Sequence, residues 1–216
     1  LDQTPSAVED TTLNKTLSAS RDDTLYETLG DQRNNGAGQW FFAGKTGGSD
    51  IRRGLIAFDI TAVLPAGATV TAVSLTLNMS RTIAGNADIG LLRVLADWQE
   101  GQANASGNEG SGADADGGDV TWTQRVFKSL DWNTPGGDFF PAASATASVG
   151  GIGSYTWEST SQLVADVQRW LDDPASNFGW LLQGDESKPQ TAKRFDSKEN
   201  EEPANWPVLV VEYTAG

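Results

Sequence analysis

Thr69-Val70-Thr71-Ala72-Val73-Ser74-Leu75-Thr76-Leu77-Asn78-Met79-Ser80 puts Val73, Leu75, Leu77 and Met79 on one side of an extended chain and Ala72, Ser74, Thr76 and Asn78 on the other, because successive side chains of a strand point to opposite faces. Such alternation predicts a half-buried strand. Just upstream, Leu64-Pro65-Ala66-Gly67-Ala68 reads as a turn, and before it Arg52-Arg53-Gly54-Leu55-Ile56-Ala57-Phe58-Asp59-Ile60 is apolar on both faces once past the Arg pair. This second run predicts a central strand covered on each side. Further extended runs occur at residues 39–45, 89–98, 155–158, 178–183, 192–196 and 208–213, separated by Gly, Asp, Asn and Pro. Residues 142–153, rich in Ser, Ala, Gly and Thr, predict a weak edge strand or nothing regular, and residues 1–19 a leader or edge strand.

One segment carries a helical period. Over residues 159–172, Leu163, Val164, Val167, Trp170 and Leu171 form a single apolar stripe. Ser159 and Gln162 have capping-box spacing at its start, and Asp172-Asp173-Pro174 stops it. Many strands, one short amphipathic helix and no alternation of strands with helices predict an all-β sandwich of two antiparallel sheets. A chain of 216 residues fits one such domain. The Gly-rich acidic stretch at residues 100–119 has no large apolar residue and is expected to be an exposed or ion-bound excursion.

Composition narrows the chemistry. There is no Cys and no His, which removes disulfides, thiolate and imidazole metal sites, and nucleophiles that depend on either residue. The net charge of −14 disfavours nucleic acid and anionic membranes. The same carboxylates make Ca²⁺ the cation most readily accepted. Eight Trp and eight Phe supply the large side chains of a core. No apolar run reaches the length of about 18 residues that spans a bilayer. The chain begins at Leu1 without a basic and apolar leader, the expectation for a mature or trimmed end.

Two groups of oxygen ligands stand out. Glu109, Asp114, Asp116 and Asp119 alternate with Gly in the excursion, spaced as flexible turns gather oxygens around Ca²⁺ but without the full EF-hand pattern. Asp22, Asp23 and Asp31 lie near Asn34 and Asn35, although Asn34-Asn35-Gly36 also reads as a plain turn. Arg53 opens a buried strand and needs a carboxylate partner, for which Glu199 is the expected structural ion pair. Lys193, Arg194 and Lys198 form a basic cluster suited either to an anionic sugar or to a protected strand edge. Among the Trp residues, Trp40, Trp132, Trp157 and Trp206 have polar, Gly or Pro neighbours and are the expected exposed stacking platforms. Tyr26, Tyr155 and Tyr213 show no clustering with acids or bases, and no P-loop, dinucleotide fingerprint or nucleophile elbow is present, so catalysis is not expected.

The ordered set Arg53-Gly-Leu-Ile-Ala-Phe58-Asp59-Ile60, Leu64-Pro65-Ala66-Gly67-Ala68-Thr69-Val70, Arg93-Val94-Leu95-Ala96-Asp97-Trp98, Val120-Thr121-Trp122, Asn177-Phe178-Gly179-Trp180-Leu181-Leu182, Phe195-Asp196-Ser197-Lys198-Glu199 and Pro207-Val208-Leu209-Val210-Val211-Glu212-Tyr213 resembles DNRLRE-type domains. The likeness runs over roughly residues 20–214. It implies a jelly-roll β-sandwich of secreted and surface proteins of bacteria and archaea, with relatives that look like carbohydrate-binding modules for acidic polysaccharides such as alginate. It also implies a structural Ca²⁺ near the N-terminal region. Two departures are the net charge of −14, which opposes a uronic-acid polymer unless Ca²⁺ bridges the two, and the length of the 100–119 excursion. The expectation is a non-catalytic, calcium-stabilised extracellular module that binds a polysaccharide through Trp40, Trp132, Trp157, Lys193, Arg194 and Lys198. The alternative is a structural or adhesive subunit of a surface assembly, in contact with copies of itself or with other domains.

Overall fold

In the computed structural model, which describes residues 11–30 and 32–215, the alternating run at residues 69–80 is the longest strand and spans Thr69–Thr82. In chain order the strands are β1 (Thr12–Ser18), β2 (Arg21–Tyr26), β3 (Arg33–Asn34), β4 (Trp40–Lys45), β5 (Ile51–Ala57), β6 (Thr69–Thr82), β7 (Ala87–Arg93) and β8 (Ala113–Asp114). There follow β9 (Gln124–Val126), β10 (Leu130–Asp131), β11 (Ala145–Val149) and β12 (Gly153–Trp157), then helix α1 (Ser161–Asp172). The last three are β13 (Trp180–Gln183), β14 (Lys193–Asp196) and β15 (Val208–Thr214).

Pairing resolves into two large antiparallel sheets, with β3–β8 and β9–β10 as separate two-stranded pairs. One carries β4–β14–β6–β12, the other β5–β13–β7–β11. That interleaving of early and late strands is the order of a jelly roll, so the all-β sandwich expected from the sequence is the fold observed. β15 runs along β6 and β1 along β15, while β2 extends the second sheet beside β5. β4 belongs to both sheets, since Trp40–Ala43 pair with β14 whereas Gly44 and Lys45 pair with β5. Gly44 sits at the crossing with φ of 114°, where a Cβ would lie 2.9 Å from the Thr191 carbonyl oxygen.

Val73, Leu75, Leu77 and Met79 enter the space between the sheets, as their alternation predicts, and meet Phe41, Ile56, Leu91, Leu182 and Phe195. Trp157 packs edge-on against Phe195 and Trp170 lies 4.6 Å from Trp180 between ring centres. The second sheet is apolar on its outer face too, because Leu25, Leu55, Ala57, Leu92 and Leu181 form another cluster with Trp98, Val120 and Trp132. This explains why the β5 sequence is apolar on both faces. The long segment between β7 and β11 is therefore a lid anchored on the sheet by Trp98, Val120 and Trp132, and although much of residues 100–119 is exposed, Glu109 and Asp119 within it are buried.

The helix is capped by Thr160, one residue later than the apparent cap Ser159. Thr160 Oγ1 accepts the Leu163 amide at 3.0 Å, while Ser159 Oγ accepts the Val73 amide at 3.0 Å and so ties the helix entry to β6. Asp166, buried on the helix, accepts from Ser144 Oγ at 2.5 Å and Trp180 Nε1 at 2.9 Å and lies 3.2 Å from Arg93 Nε, which docks the helix on the sheets. Residues 145–149 form a regular edge strand, β11, on β7.

Lys193 alternates inward and is fully buried. Its Nζ donates to the carbonyls of Gly85 at 2.6 Å, Gly150 at 3.1 Å and Ala84 at 3.3 Å, joining the β6–β7 and β11–β12 turns. Lys193→Met leaves those buried acceptors without a donor and is expected to destabilise the fold by about 1–3 kcal/mol, read as a lower midpoint in guanidinium unfolding with an unchanged m-value.

Candidate functional site

The outer face of the first sheet carries an aromatic and basic groove. Register places Phe42 of β4, Arg194 of β14 and Arg81 of β6 side by side on adjacent strands. Alternation along β6 would turn Arg81 inward with Met79. A register shift between Arg194 and Phe195 inserts an extra residue in β6 and brings Arg81 out opposite Arg194. The Arg194 guanidinium lies 3.9 Å from the centre of the Trp40 ring and its Nε donates to Ser80 Oγ at 3.1 Å. Burial first, and then the neighbouring Arg81 charge, pull the Arg194 pKa below its ordinary value. Arg81 donates to Asn108 Oδ1 of the lid. Arg52 lies over the Tyr26 ring and donates to the Gly110 carbonyl at 3.1 Å. Together Phe42, Arg52, Arg81, Ile83, Asn108 and Arg194 line an open groove of about 300 Å³. Two like charges set opposite each other across a strand pair destabilise one another, so this arrangement favours an anion between them.

A second constellation lies where β2, the start of the lid and the turn after β14 meet. Carboxylate oxygens of Asp22, Glu100 and Glu199 all lie within 4.8 Å of one another. Lys198 Nζ sits among them, 3.1 Å from Glu100 Oε1 and in contact with Glu199 Oε1. Burial, and then the charge of Glu199, raise the Asp22 pKa, and burial likewise raises that of Glu100. Burial pulls the Lys198 ammonium down, but its hydrogen bonds to Glu199 and Glu100 outweigh this and hold its pKa above the ordinary value. Glu199 Oε2 is buried without a hydrogen-bond partner among the described residues. This acidic cluster has the donor set to hold a metal ion.

The other expected oxygen ligands do not converge. Asp23 accepts from the Thr24 amide at 2.7 Å, the Asn35 amide at 3.2 Å and Asn34 Nδ2 at 2.5 Å. Asp119 accepts the amides of Gln102 and Asp116, and Glu109 accepts Asn35 Nδ2 and the Trp40 amide. N–H donors already occupy these three carboxylates. Asp114 is exposed and pairs with Arg33 at 2.6 Å, and Asp116 is exposed with Lys128 at 3.6 Å. Asp31 lies outside the described residues. Asn34 and Asn35 form no plain surface turn, since both are buried.

Of the expected sugar contacts, Trp132 and Trp157 are core residues, 4% and 0% exposed, whose Nε1 groups donate to the carbonyls of Thr121 and Ile89. Polar sequence neighbours mark only the outward side of a strand or turn, and both rings face inward. Arg194 lines the groove and stacks on Trp40, Lys193 is also a lining residue but its ammonium is held by buried carbonyls, and Lys198 belongs to the acidic cluster. The ion pair expected between Arg53 and Glu199 is replaced. Arg53 binds Glu186 through Nε at 2.8 Å and through its second terminal nitrogen at 3.0 Å, held between the rings of Trp122 and Phe139. Glu199 sits beside Asp22, whose register partner is Ile56, further along β5 than Arg53. Sequence reading noted Arg52 only as one of the pair opening a buried strand, and did not single out Arg81, Phe42 or Glu100. Only the bulge in β6 and the folding of the lid bring them to these sites.

No family model matches the chain, and a search of curated proteins finds no relative.

Raised carboxyl pKa values mean that the folded protein holds these protons more tightly than the unfolded chain does. Stability therefore falls as pH rises from the ordinary carboxylate range through the elevated pKa values, and the cost persists at neutral pH. Asp22→Asn keeps an acceptor for the Lys198 amide while deleting one like charge. It is expected to raise the thermal midpoint at neutral pH and to lose that advantage below the ordinary carboxylate range, as a melting series across pH will read.

Proposed function

We propose that the chain is a non-catalytic polysaccharide-binding module of a secreted or cell-surface protein, and that the groove over β4, β14 and β6 takes an acidic glycan. The observation that carries this reading is the Phe42, Arg194 and Arg81 row, with Arg194 stacked on Trp40. Guanidinium groups bind carboxylates with charge-assisted hydrogen bonds in a planar fork. Phe42 and Ile83 in the lining offer an apolar edge to a sugar ring. At −14 overall the protein repels a polyanion at long range, but that field is screened beyond roughly 10 Å in 0.1 M salt, whereas contact with the arginines is not. The jelly-roll order is the one the resemblance to DNRLRE-type domains implies, which favours the same reading.

Calcium belongs to this proposal as a stabilising ion. Asp22, Glu100 and Glu199 would hold it, taking over the place of the Lys198 ammonium, and the orphaned Glu199 Oε2 is the oxygen most in need of a cation. Bound there, Ca²⁺ would offset most of the cluster's negative charge and tie β2 to the lid and to the turn after β14. The expected result is a thermal midpoint that rises with Ca²⁺, falls back with chelator and ceases to respond in Glu199→Gln. An unresponsive wild type would remove calcium from the proposal and leave the groove untouched.

Affinity electrophoresis and calorimetry on alginate, polygalacturonate and a neutral glucan test the groove. The acidic polymers should retard the protein, and Arg194→Ala or Arg81→Ala should each weaken binding by about tenfold. No retardation by any acidic polymer, or variants that bind as the parent does, would overturn the reading.

A further inference from the structure

Three places in the chain carry Asn-x-Ser/Thr with a residue other than Pro between: Asn14-Lys15-Thr16, Asn78-Met79-Ser80 and Asn104-Ala105-Ser106. This is the acceptor pattern for N-linked glycans in secreted proteins. As sequence the three are equal, and the fold separates them.

Asn78 is sealed into the first sheet. Its strand, β6, is paired along its length by β12, β14 and β15. Asn78 Nδ2 donates to Asp196 Oδ2 at 2.6 Å, and Asn78 Oδ1 accepts from Ser154 Oγ at 3.3 Å. Ser80 Oγ accepts from Arg194 Nε at 3.1 Å, and Met79 between them is fully buried. Both groups that a glycosyl transferase must reach are committed, on a strand it would have to pull out of the sheet.

The other two are presented outward. Asn14, Lys15 and Thr16 are all exposed, and Leu17 is the one buried residue of the seven in β1. Alternation puts Asn14 and Thr16 on the same face, opposite Glu212 and Val210 of β15. Among the described residues β1 pairs with β15 alone, so its outer edge is open. Asn104 lies in the lid, in a stretch without regular secondary structure, and both Asn104 and Ser106 are exposed. The Ala105 amide between them donates to Asn35 Oδ1 at 2.8 Å, which pins the backbone of the tripeptide to the fold. Neither Asn14 nor Asn104 makes a side-chain hydrogen bond among the described residues.

We infer that Asn14 and Asn104 are N-glycosylation sites and that Asn78 is not. The inference rests on the reading of the chain as secreted. The donor is an oligosaccharide carried on a polyprenyl pyrophosphate, brought by a membrane oligosaccharyl transferase. Asn Nδ2 bonds to the anomeric carbon of the first sugar, the bond from that carbon to the phosphate oxygen breaks, and the lipid pyrophosphate leaves with the electron pair. The amide loses one proton to a base of the transferase, and nothing is oxidised or reduced. An N-glycan is bulky and hydrated. On Asn14 it covers the open edge of β1, a template for pairing with another chain that Lys15, the one charge on the strand, guards alone.

Glycopeptide mapping by mass spectrometry, on the protein recovered from the cells that make it, reads each asparagine separately. Sugar mass is expected on the peptides of Asn14 and Asn104, and none on that of Asn78. In the same cells Asn14→Gln and Asn104→Gln should each remove one glycan from the intact mass, and the double variant both. Thr16→Val and Ser106→Ala should remove the same two although each asparagine remains, which ties the transfer to the tripeptide. Bare Asn14 and Asn104, or a glycan on Asn78, would overturn the inference. The secreted reading fails separately, because cell fractionation places the protein inside or outside the cell whatever it carries. The groove is separable too, since Asn14→Gln and Asn104→Gln should leave binding of acidic polysaccharide unchanged.

Discussion

Everything outside the sandwich core depends on a buried polar knot between the N-terminal part of the chain and the lid. Asn34 Nδ2 contacts Asp23 Oδ2 at 2.5 Å, Val120 O at 2.9 Å and Glu100 O at 3.1 Å, while Asn34 Oδ1 accepts the Gly36 amide. Asn35 accepts the Ala105 amide and donates to Glu109 Oε2 and Trp40 O. Two amide side chains thus hold the lid at residues 100, 105, 109 and 120. Backbone approach there is too close for any side chain: a Cβ on Gly36 would stand 2.0 Å from Glu100 O, and one on Gly101 2.6 Å from Asp119 Oδ1. Such a network is stabilising only when all its members are satisfied, and here each carboxylate in it has its N–H donors.

Both candidate sites are consequences of that anchoring. Once the lid is held, Glu100 reaches the Asp22 amide at 2.6 Å and joins Glu199 and Lys198, so β2, the lid and the turn after β14 share one cluster. Further along, the same lid presents Asn108 to Arg81 and the Gly110 carbonyl to Arg52, completing one wall of the groove. Glu109 lies between these contacts and caps the Trp40 amide, so the stacking ring under Arg194 is positioned by the lid as well. A disturbance of Asn34 or Asn35 would therefore be felt at the groove and at the cluster together, although neither residue touches a ligand.

The sheets were legible where hydrophobic period and strand coincide. β6, β5, β13 and β15 follow from apolar alternation or continuous apolar runs, and the helix from its stripe. β2 was not legible, since Asp22 and Asp23 are poor strand formers and announce ligands instead. They are tolerated because amides and Asn34 satisfy Asp23 within the fold. The lid was misleading for a related reason. Its middle has no large apolar residue, so composition reads it as solvated, but its ends supply Trp98, Val120 and Trp132 and its acids are capped by backbone N–H groups. Trp132 and Trp157 misled in the same direction. The groove was half legible: Trp40 and Arg194 are visible as types, whereas Arg81 depends on a bulge that no period encodes.

That bulge gives the strongest physical reason to look for an anion at the groove. A strand keeping its alternation would have put Arg81 toward the core, where an unpaired charge is costly. One inserted residue turns it outward, yet places it opposite Arg194, the like charge that helps pull the Arg194 pKa down. Nothing in folding requires two guanidinium groups there, in a protein with nearly twice as many acids as bases, 29 against 15. The Trp40 ring and Asn108 moderate the repulsion without neutralising it. Local conflict of this kind, held in place by a bulge and a pinned lid, is what supports the proposal of an acidic ligand for the groove.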